Sequence, residues 1–387
     1  MIAREAEKEL RLLSKQFKAV AVVGPRQSGK TTLTRALFPS KTYVSLENPD
    51  TRQFAEQDPR GFLAQYTEGA ILDEAQRVPA IFSYLQQLLD ESNAAGRFIL
   101  TGSNNFLLQQ NIVQSLAGRL AYLYLLPFSV NELKSGDLLP KTLNEMLFTG
   151  SYPPVFQQEI APEKWFPNYI KTYVERDVRL IKNISNLGDF ERFLRLCAGR
   201  VGQLLNKSSL GIEVGVDSKT IDAWLTILES SFIIHLLKPH HQNFNKRLVK
   251  MPKLYFHDTG LVCALLGIQN PLQIQTHPLR GSLFENFVIG EFIKMQYNLG
   301  NQGRLYFWRD NKGNEIDLII DNGDKLYPIE IKAGQTITQT YFKGINFWNN
   351  LTTTTGGTII YAGDMEQKRS NGIEVKPWFQ ADISNFF

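Results

Sequence analysis

The sequence predicts an α/β protein of three successive parts, and three observations carry this prediction. Between residues 17 and 126, short runs of Val, Ile, Leu and Tyr alternate with helical patterns, as expected for a parallel sheet covered on both faces. The pattern is mostly helical from 127 to about 270. From about 280 onward, one helix precedes several strands. We therefore divide the chain into residues 1–126, 127–270 and 271–387.

Composition sets the class of protein and of partner. The 387 residues are 43% hydrophobic and 21% charged, which is ordinary for a globular protein. A net charge of +4 permits a nucleic-acid partner without requiring one. The two cysteines, Cys197 and Cys263, form neither a disulfide framework nor a zinc spacing, which favours the cytoplasm. No apolar run approaches the ~20 residues that span a bilayer, so we expect no membrane partner. The first residues predict a short amphipathic helix and no signal peptide.

The strongest motif of the first part satisfies G-x-x-x-x-G-K-[ST] and lies between the apolar strand AVAVV and the helical pattern TTLTRALF. Such a loop curls so that its N–H groups point at phosphate oxygens, and the helix N-terminus adds positive potential. We expect Lys30 to reach the β- and γ-phosphates and Thr31 to place its hydroxyl on Mg²⁺. The alternative is a chance match in a glycine-bearing turn. The predicted nucleotide-binding residues are Gly24, Pro25, Arg26, Gln27, Ser28, Gly29, Lys30, Thr31, Thr32 and Ser103.

Polar residues at the ends of two further strands complete the predicted site. GAILDE ends in Asp73, a candidate ligand of Mg²⁺, and Glu74, a candidate to orient and deprotonate the attacking water. A helix N-cap is the alternative reading of this pair. RFILTGSN ends in Ser103 and Asn104, candidates to polarise the same water or to sense the γ-phosphate. Plain turn chemistry is the alternative for these two residues.

These segments resemble a known family. GPRQSGKTTL, SLENPD, DPRGFL, AILDEAQRVP, ILTGSN and LAGRLAYLYLLPFSVNEL are similar to the AAA-type P-loop ATPases, and more narrowly to the bacterial and archaeal family in which this module precedes a restriction-endonuclease-like domain. The resemblance spans nearly the whole chain. It implies ATP, since no guanine signature is present, and it makes a homo-oligomer possible. Arg119 is the candidate arginine finger, ahead of Arg26 and Arg97, with a plain surface arginine as the alternative.

The middle part has the order of a winged helix-turn-helix. FLRLCAGRVGQLLN is a helical pattern, turns are expected around Gly211 and Gly215, and DSKTIDAWLTILESS predicts a second helix before the strand FIIHLL. The segment after that strand predicts a basic wing. Its cations are Lys238, Lys246, Arg247, Lys250 and Lys253. A protein–protein contact is the alternative to DNA contact. We expect His240 and His241 to be solvated loop residues.

The last part contains carboxylates and a lysine on suitable elements. Glu285 lies on a helical pattern, Asp317 in the strand NEIDLIID, and Glu330 and Lys332 on one face of the strand YPIEIK, after a hairpin turn at 322–324. We expect Glu285, Asp317 and Glu330 to hold Mg²⁺, with Asp317, Glu330 and Lys332 catalytic. The order resembles the PD-(D/E)xK fold, although Ile316 replaces the usual proline.

An aromatic residue and an arginine next to this cluster are candidates to contact a substrate. Trp308 and Arg309 are expected to stack on or grip a substrate. The alternative for the whole constellation is an ion pair of Lys332 with Asp317 or Glu330, in a fold that has lost cleavage.

The sequence thus predicts a Mg²⁺-dependent AAA-type ATPase with a winged-helix segment and a nuclease-like domain. The expected action is on nucleic acid, DNA being the favoured form, by binding and by cleavage if the last domain is active. One alternative is an ATP-driven switch or assembly protein whose last domain is an inactive partner-binding module. Another is a scaffold that has lost ATP turnover.

Overall fold

The computed structural model describes residues 2–103, 116–174, 186–240 and 249–380. The chain divides into two compact units. The first comprises Met1–Gly136, Ser230–Phe232 and Gln296–Asn301, and the second comprises Asp137–Glu229, Ile233–Met295 and Gln302–Phe387. Asn104, His241, Lys246 and Arg247, which the sequence singled out, lie outside the described residues.

A five-stranded sheet forms the centre of the first unit. Its strands are β1 (Ala19–Val23), β2 (Thr42–Ser45), β3 (Ala70–Asp73), β4 (Phe98–Gly102) and β5 (Leu120–Tyr124). All neighbouring strands pair in parallel, in the order β2-β3-β4-β1-β5. The predicted parallel sheet is therefore confirmed. Because the strands run the same way, β1, β3 and β4 present their carboxyl ends at one edge, where ligands bind in such sheets.

Helices connect and cover these strands. They are α1 (Glu7–Gln16), α2 (Lys30–Leu37), α3 (Pro49–Gln57), α4 (Pro59–Ala64), α5 (Ile81–Asp90) and α6 (Val130–Ser135), with a 3-10 turn at Ala75–Arg77. The predicted N-terminal helix is α1, and its Leu10 is fully buried. Leu10 belongs to a core cluster with Val20, Val22 and Leu33, so α1 and α2 pack on the same sheet.

The second unit opens with helices and a short hairpin. Its first helices are α7 (Leu143–Thr149), α8 (Pro153–Gln157), α9 (Pro162–Tyr169), α10 (Leu187–Ala198), α11 (Lys207–Val214) and α12 (Ser218–Ser230). A π-helical turn at Ile170–Val174 follows α9. Strands β6 (Ile234–Leu237) and β7 (Lys253–Phe256) pair antiparallel. Then come α13 (Thr259–Leu265), α14 (Pro271–Thr276) and α15 (Arg280–Asn298).

The middle region departs from its prediction in two places. The helix expected over 193–206 ends at Ala198, because the chain beyond it pairs with β7: the N–H of Gly202 donates to Leu254 O at 2.8 Å. The turn predicted around Gly211 is wrong, since α11 runs through it. A Cβ at Gly211 would lie 2.7 Å from Val216 O, so glycine permits a close approach of backbone there. Gly215, with φ +90°, does end α11.

A mixed six-stranded sheet completes the second unit. Its members are β8 (Leu305–Arg309), β9 (Glu315–Asp321), β10 (Leu326–Lys332), β11 (Gly357–Tyr361), β12 (Gln367–Lys368) and β13 (Ile373–Pro377). The order is β12-β13-β11-β10-β9-β8. This unit also contains helix α16 (Lys343–Thr352) and 3-10 turns at Gln339–Phe342 and Trp378–Gln380. The predicted hairpin is confirmed, since β9 and β10 pair antiparallel around residues 322–324.

The described part of the chain contains no helix with the length and apolar character required to traverse a lipid bilayer.

Candidate functional site

The loop between β1 and α2 has the backbone that a phosphate cradle requires. Gln27 and Gly29 adopt positive φ, at +62° and +95°, so the chain curls before α2 begins at Lys30. Gly24 is sterically required, because a Cβ there would overlap the carbonyl oxygen of Leu125. The first turn of α2 leaves amide groups without partners inside the helix, at the end where the helix dipole is positive. This geometry favours an anion.

Lys30 lies buried under this loop. Its Nζ donates to Gly24 O at 3.1 Å and to Pro25 O at 2.7 Å, and the residue is only 6% exposed. Burial lowers the pKa of Lys30 to about 8; the carboxylates of Glu74 and Asp73 oppose this shift, and Arg26 adds to it. The ammonium is therefore held at the loop but poorly neutralised, a state that a polyphosphate would relieve.

Asp73, at the end of β3, faces the predicted metal-binding hydroxyl. Thr31 Oγ1 donates to Asp73 Oδ1 at 3.0 Å, so the structure brings together the two residues expected to hold Mg²⁺. Two partners that the sequence did not reveal fix the same carboxylate. Thr101, on β4, also donates to Oδ1, and Tyr43, on β2, donates to Oδ2 at 2.7 Å. Burial, and next the hydrogen bond to Asp73, raises the pKa of Tyr43 to about 12.

Glu74 directly follows β3 in the left-handed region, with φ +55°, a conformation uncommon for a residue with a side chain. Ser103 Oγ, beyond the end of β4, donates to Glu74 Oε2 at 3.1 Å, and Gln76 Nε2 donates to the same oxygen. The structure therefore joins the two residues expected to handle the attacking water.

The three candidate arginines lie in different places. Arg119 precedes β5, at the opposite edge of the parallel sheet from the phosphate loop, and its Nη2 donates to Asp90 Oδ2 at 2.9 Å. Arg97 precedes β4 at that same far edge, where it donates to the carbonyls of Leu88 and Thr67. Arg26 alone stands at the phosphate edge, 4.0 Å from Glu47 Oε1. The structure thus does not bring Arg119 to the phosphate loop of its own chain.

Sequence reasoning missed Arg4, which is buried beside the phosphate loop. Its Nη1 donates to Ser28 O at 2.7 Å. No sequence signal marks it, because the residues that accept from its guanidinium are 24 residues or more away along the chain.

The donor set of this edge suits Mg²⁺ and a polyphosphate. A hydroxyl and a carboxylate, from Thr31 and Asp73, are the oxygen ligands that Mg²⁺ prefers. The Oγ atom of Ser28, inside the loop, is fully buried and has no hydrogen-bond partner among the described residues. Such an orphaned polar atom is costly unless a ligand supplies its partner.

A second cluster of charged residues lies on the sheet of the second unit. Lys332 Nζ lies 3.3 Å from Asp317 Oδ2 and contacts Glu330 Oε2, while Ile331 N donates to Asp317 Oδ2 at 2.8 Å. Burial raises the pKa of Glu330 to about 8, Asp317 adds to the shift, and Lys332 opposes it. The structure therefore joins Asp317, Glu330 and Lys332, a contact that both the catalytic hypothesis and the ion-pair alternative predict.

Glu285, the third expected metal ligand, has other partners. Its Oε1 accepts from Lys253 Nζ at 2.8 Å and from Tyr255 OH at 2.5 Å. The Lys253 ammonium also contacts Glu315. Across residues 2–103, 116–174, 186–240 and 249–380, no group of three His, Cys, Asp or Glu side chains is arranged to hold a metal ion. Glu285, Asp317 and Glu330 therefore do not form such a group.

Several predictions for the second unit are wrong. Lys253 is 3% exposed inside β7, so it is an internal cation and not a residue of a basic wing. Trp308 is fully buried against Trp348 and cannot stack on a substrate. Arg309 pairs with Glu315 at 2.9 Å, yet its side chain is 38% exposed, so its expected contact with a substrate stays a prediction. His240 is not a solvated loop residue. Its backbone N–H donates to Phe307 O on β8, which leaves the residue only 8% exposed. Its Nε2 lies 3.4 Å from Asp321 Oδ2.

Comparisons with known proteins match three stretches of the chain. A family described as "AAA domain" matches residues 16–134, and two domains of unknown function, DUF8612 and DUF4143, match 140–272 and 280–380. The uncharacterized proteins Rv2008c of Mycobacterium tuberculosis and Mb2031c of Mycobacterium bovis are each 30% identical over 338 residues, 86% of this chain and 74% of theirs.

Solved structures of lower similarity include two nucleotide-related proteins. The Walker-type ATPase PABY2304 of Pyrococcus abyssi has a TM-score of 0.42 and 16% identity, covering 68% of this chain and 96% of that one. AMPPCP-bound DnaA from Aquifex aeolicus has a TM-score of 0.30 and 15% identity, covering 58% of this chain and 85% of that one.

Proposed function

The chain belongs to the same protein family as the mycobacterial proteins Rv2008c and Mb2031c, and it contains an AAA-type ATPase domain. We propose that it is a Mg²⁺-dependent ATPase that couples ATP binding and hydrolysis to action on nucleic acid. One observation carries the ATPase half of this proposal. The Thr31 hydroxyl meets the Asp73 carboxylate beside the buried Lys30, at the sheet edge where Glu74 also lies.

Each of these residues has a role that its contacts support. Lys30 turns from the loop carbonyls to the β- and γ-phosphates and neutralises their charge. Thr31 and Asp73 would hold Mg²⁺, which supplies further neutralisation of the phosphate oxygens. Glu74 accepts the proton of the attacking water, with Ser103 orienting the carboxylate through its hydrogen bond.

A pH dependence follows from the low pKa of Lys30. Triphosphate next to the ammonium raises that pKa, so binding takes up a proton whenever the pH exceeds about 8. Below that pH the lysine is charged in both states and adds no pH dependence to the affinity. Above it, affinity for Mg·ATP should fall by up to about tenfold per pH unit. Calorimetry at pH 9 in buffers of different ionisation enthalpy measures the proton uptake directly.

The control for this prediction is Lys30→Arg, whose guanidinium stays charged throughout. It should bind more weakly, with a flat profile from pH 8 to about pH 9.5 and no proton uptake. A wild-type profile that is equally flat over this range would show that Lys30 does not gain its charge at the phosphates.

The nucleic-acid half of the proposal rests on the cluster of the second unit. Asp317 and Glu330 lie across the β9–β10 hairpin, with Lys332 in contact with both, an arrangement suited to positioning a water against a phosphodiester. The six-stranded mixed sheet that carries them supports the resemblance to nuclease folds. The helices α10 to α12 and the β6–β7 hairpin follow the order of a winged helix, which supports contact with DNA.

A second candidate function is a partner-binding module without cleavage. Lys253 favours it, because this buried ammonium pairs with Glu285 and contacts Glu315, next to the proposed catalytic carboxylates. The exposed side of α12 also favours it. This side presents Lys219, Asp222 and Glu229, and Lys207 pairs with Asp222, so it carries no excess of positive charge for a DNA backbone to attract.

One experiment separates the two candidates. The protein is incubated with Mg²⁺ or Mn²⁺, ATP, and plasmid or single-stranded DNA, beside Lys332→Ala and the control Lys325→Ala, an exposed lysine at the turn of the same hairpin. We expect cleavage or salt-sensitive DNA binding by wild type, with cleavage lost only in Lys332→Ala. ATP hydrolysis with neither DNA cleavage nor DNA binding would overturn the proposed action on DNA and support the second candidate.

A further inference from the structure

Arg4 connects three separate segments at the base of the phosphate loop. Its Nη1 donates to Ser28 O at 2.7 Å, and its Nη2 donates to Leu126 O at 2.6 Å, beyond the end of β5. The residue is 8% exposed. An arginine fork can hold two carbonyl oxygens in fixed directions, which a single ammonium cannot do. The guanidinium therefore sets the orientation of the Ser28 carbonyl.

The charge of Arg4 is compensated away from the loop. Its Nε lies 3.0 Å from Glu132 Oε1, and Glu132 is 1% exposed. The guanidinium also lies over the ring of Phe128, 4.9 Å from its centroid. Glu132 in turn accepts from the backbone N–H groups of Glu5 and Ser129. Arg4 is thus built into the domain with little freedom to move.

Arg4 holds the peptide between Ser28 and Gly29, one residue before the lysine of the loop. The Ser28–Gly29 bond is trans, as are all described peptide bonds, so the carbonyl of Ser28 and the N–H of Gly29 point in opposite directions. With the carbonyl turned towards Arg4, the N–H points away from it. The packing is close, since a Cβ on Gly29 would lie 3.2 Å from Arg4 Nη1.

We infer that Arg4 is a positioning residue for nucleotide binding: by holding Ser28 O, it aims the Gly29 N–H at the phosphate chain of a nucleoside diphosphate or triphosphate. The inference rests on the proposed ATPase function. Backbone N–H groups of such loops cradle the α- and β-phosphates, so the effect should be equal for ADP and ATP. The guanidinium donates to Ser28 O and Leu126 O, whereas Ser103 and Gln76 hold the proposed base Glu74, so we expect Arg4 to act on binding and not on the hydrolytic step.

Arg97 supplies a matched control. It too donates through Nη1 and Nη2 to two backbone carbonyls, those of Leu88 at 3.1 Å and Thr67 at 3.0 Å. It precedes β4, at the edge of the sheet away from the phosphate loop. A loss of stability without a change in nucleotide affinity is the expected result for Arg97→Met.

The test compares wild type, Arg4→Met, Arg4→Lys and Arg97→Met, in Mg·ADP and Mg·ATP affinity by calorimetry and in thermal unfolding. Affinities are measured at a temperature where each protein is fully folded. We expect Arg4→Met to raise both dissociation constants about tenfold or more, by the same factor, because a hydrogen bond from a charged group is lost. Arg4→Lys should lie between Arg4→Met and wild type.

The outcomes of this test separate the positioning role of Arg4 from the proposed ATPase function on which it rests. Wild-type affinity in a folded Arg4→Met variant, with only a lowered Tm, overturns the positioning role and leaves the ATPase proposal standing. Should Arg4→Met not fold, Arg4→Lys decides, since it must still bind Mg·ADP more weakly than wild type. A wild-type protein that binds neither nucleotide overturns both proposals.

Discussion

Replacing Lys30 with Met is expected to lower ATP turnover by about 10²–10³-fold or more, because it removes a fixed positive charge from the site where phosphate charge develops. The fold should survive. In the absence of nucleotide the ammonium is buried, which lowers its pKa to about 8, so its removal relieves a desolvation cost while leaving two loop carbonyls without a donor. These effects oppose one another, and we expect the Tm of the variant to stay within a few degrees of wild type.

Phosphate release under saturating Mg·ATP, together with thermal unfolding, measures both parts of this result. Lys18→Met is the matched control. Lys18 directly precedes β1, at the end away from the phosphate loop, and its Nζ donates to Leu89 O at 2.7 Å. Its replacement should leave turnover unchanged. Equal turnover in Lys30→Met and wild type would assign the phosphate release to some other site or to a contaminant.

Replacing Glu74 with Gln is expected to lower turnover by about 10²–10⁴-fold while leaving the affinity for Mg·ATP within a few-fold of wild type. The amide keeps the size of the side chain and can still accept from Ser103 Oγ, but it cannot take a proton from water. Binding and chemistry are therefore separated in this variant, in contrast to Lys30→Met.

Glu56→Gln, an exposed carboxylate on α3, serves as the control and should hydrolyse ATP like wild type. Single-turnover hydrolysis and calorimetric affinity are measured on the same preparations. If Glu74→Gln lost affinity and turnover by the same factor, the residue would support binding and could not be assigned as the base.

The sequence predicted those features that local patterns specify. Strands buried on both faces read as continuous apolar runs, and their last residues fall at one edge of a parallel sheet, so Asp73 and Glu74 could be placed beside Lys30 and Thr31 from the sequence alone. The hairpin turn at 322–324 fixes a register that pairs Ile329 with Leu318, and this places Asp317 and Glu330 at the next positions of the two strands.

Residues whose role depends on distant partners could not be predicted in this way. Arg4 meets Leu126 only after the domain has folded, across 122 positions of sequence. Lys253 sits in a cation-rich segment, which suggested a solvated wing, but β7 carries it inward to Glu285 and Glu315. Trp308 is a candidate to stack on a substrate from the sequence, yet β8 directs it into the core against Trp348. Local composition does not encode these pairings.

The most direct test of the central claim is a calorimetric titration of the wild-type protein with Mg·ATP, run at two temperatures so that a near-zero enthalpy at one of them does not hide binding. The phosphate loop, Lys30 and Asp73 predict saturable binding of one nucleotide per chain, with a dissociation constant below about 1 mM. Absence of both heat and saturation at millimolar Mg·ATP, at either temperature, would contradict the assignment of this edge of the sheet as a nucleotide site.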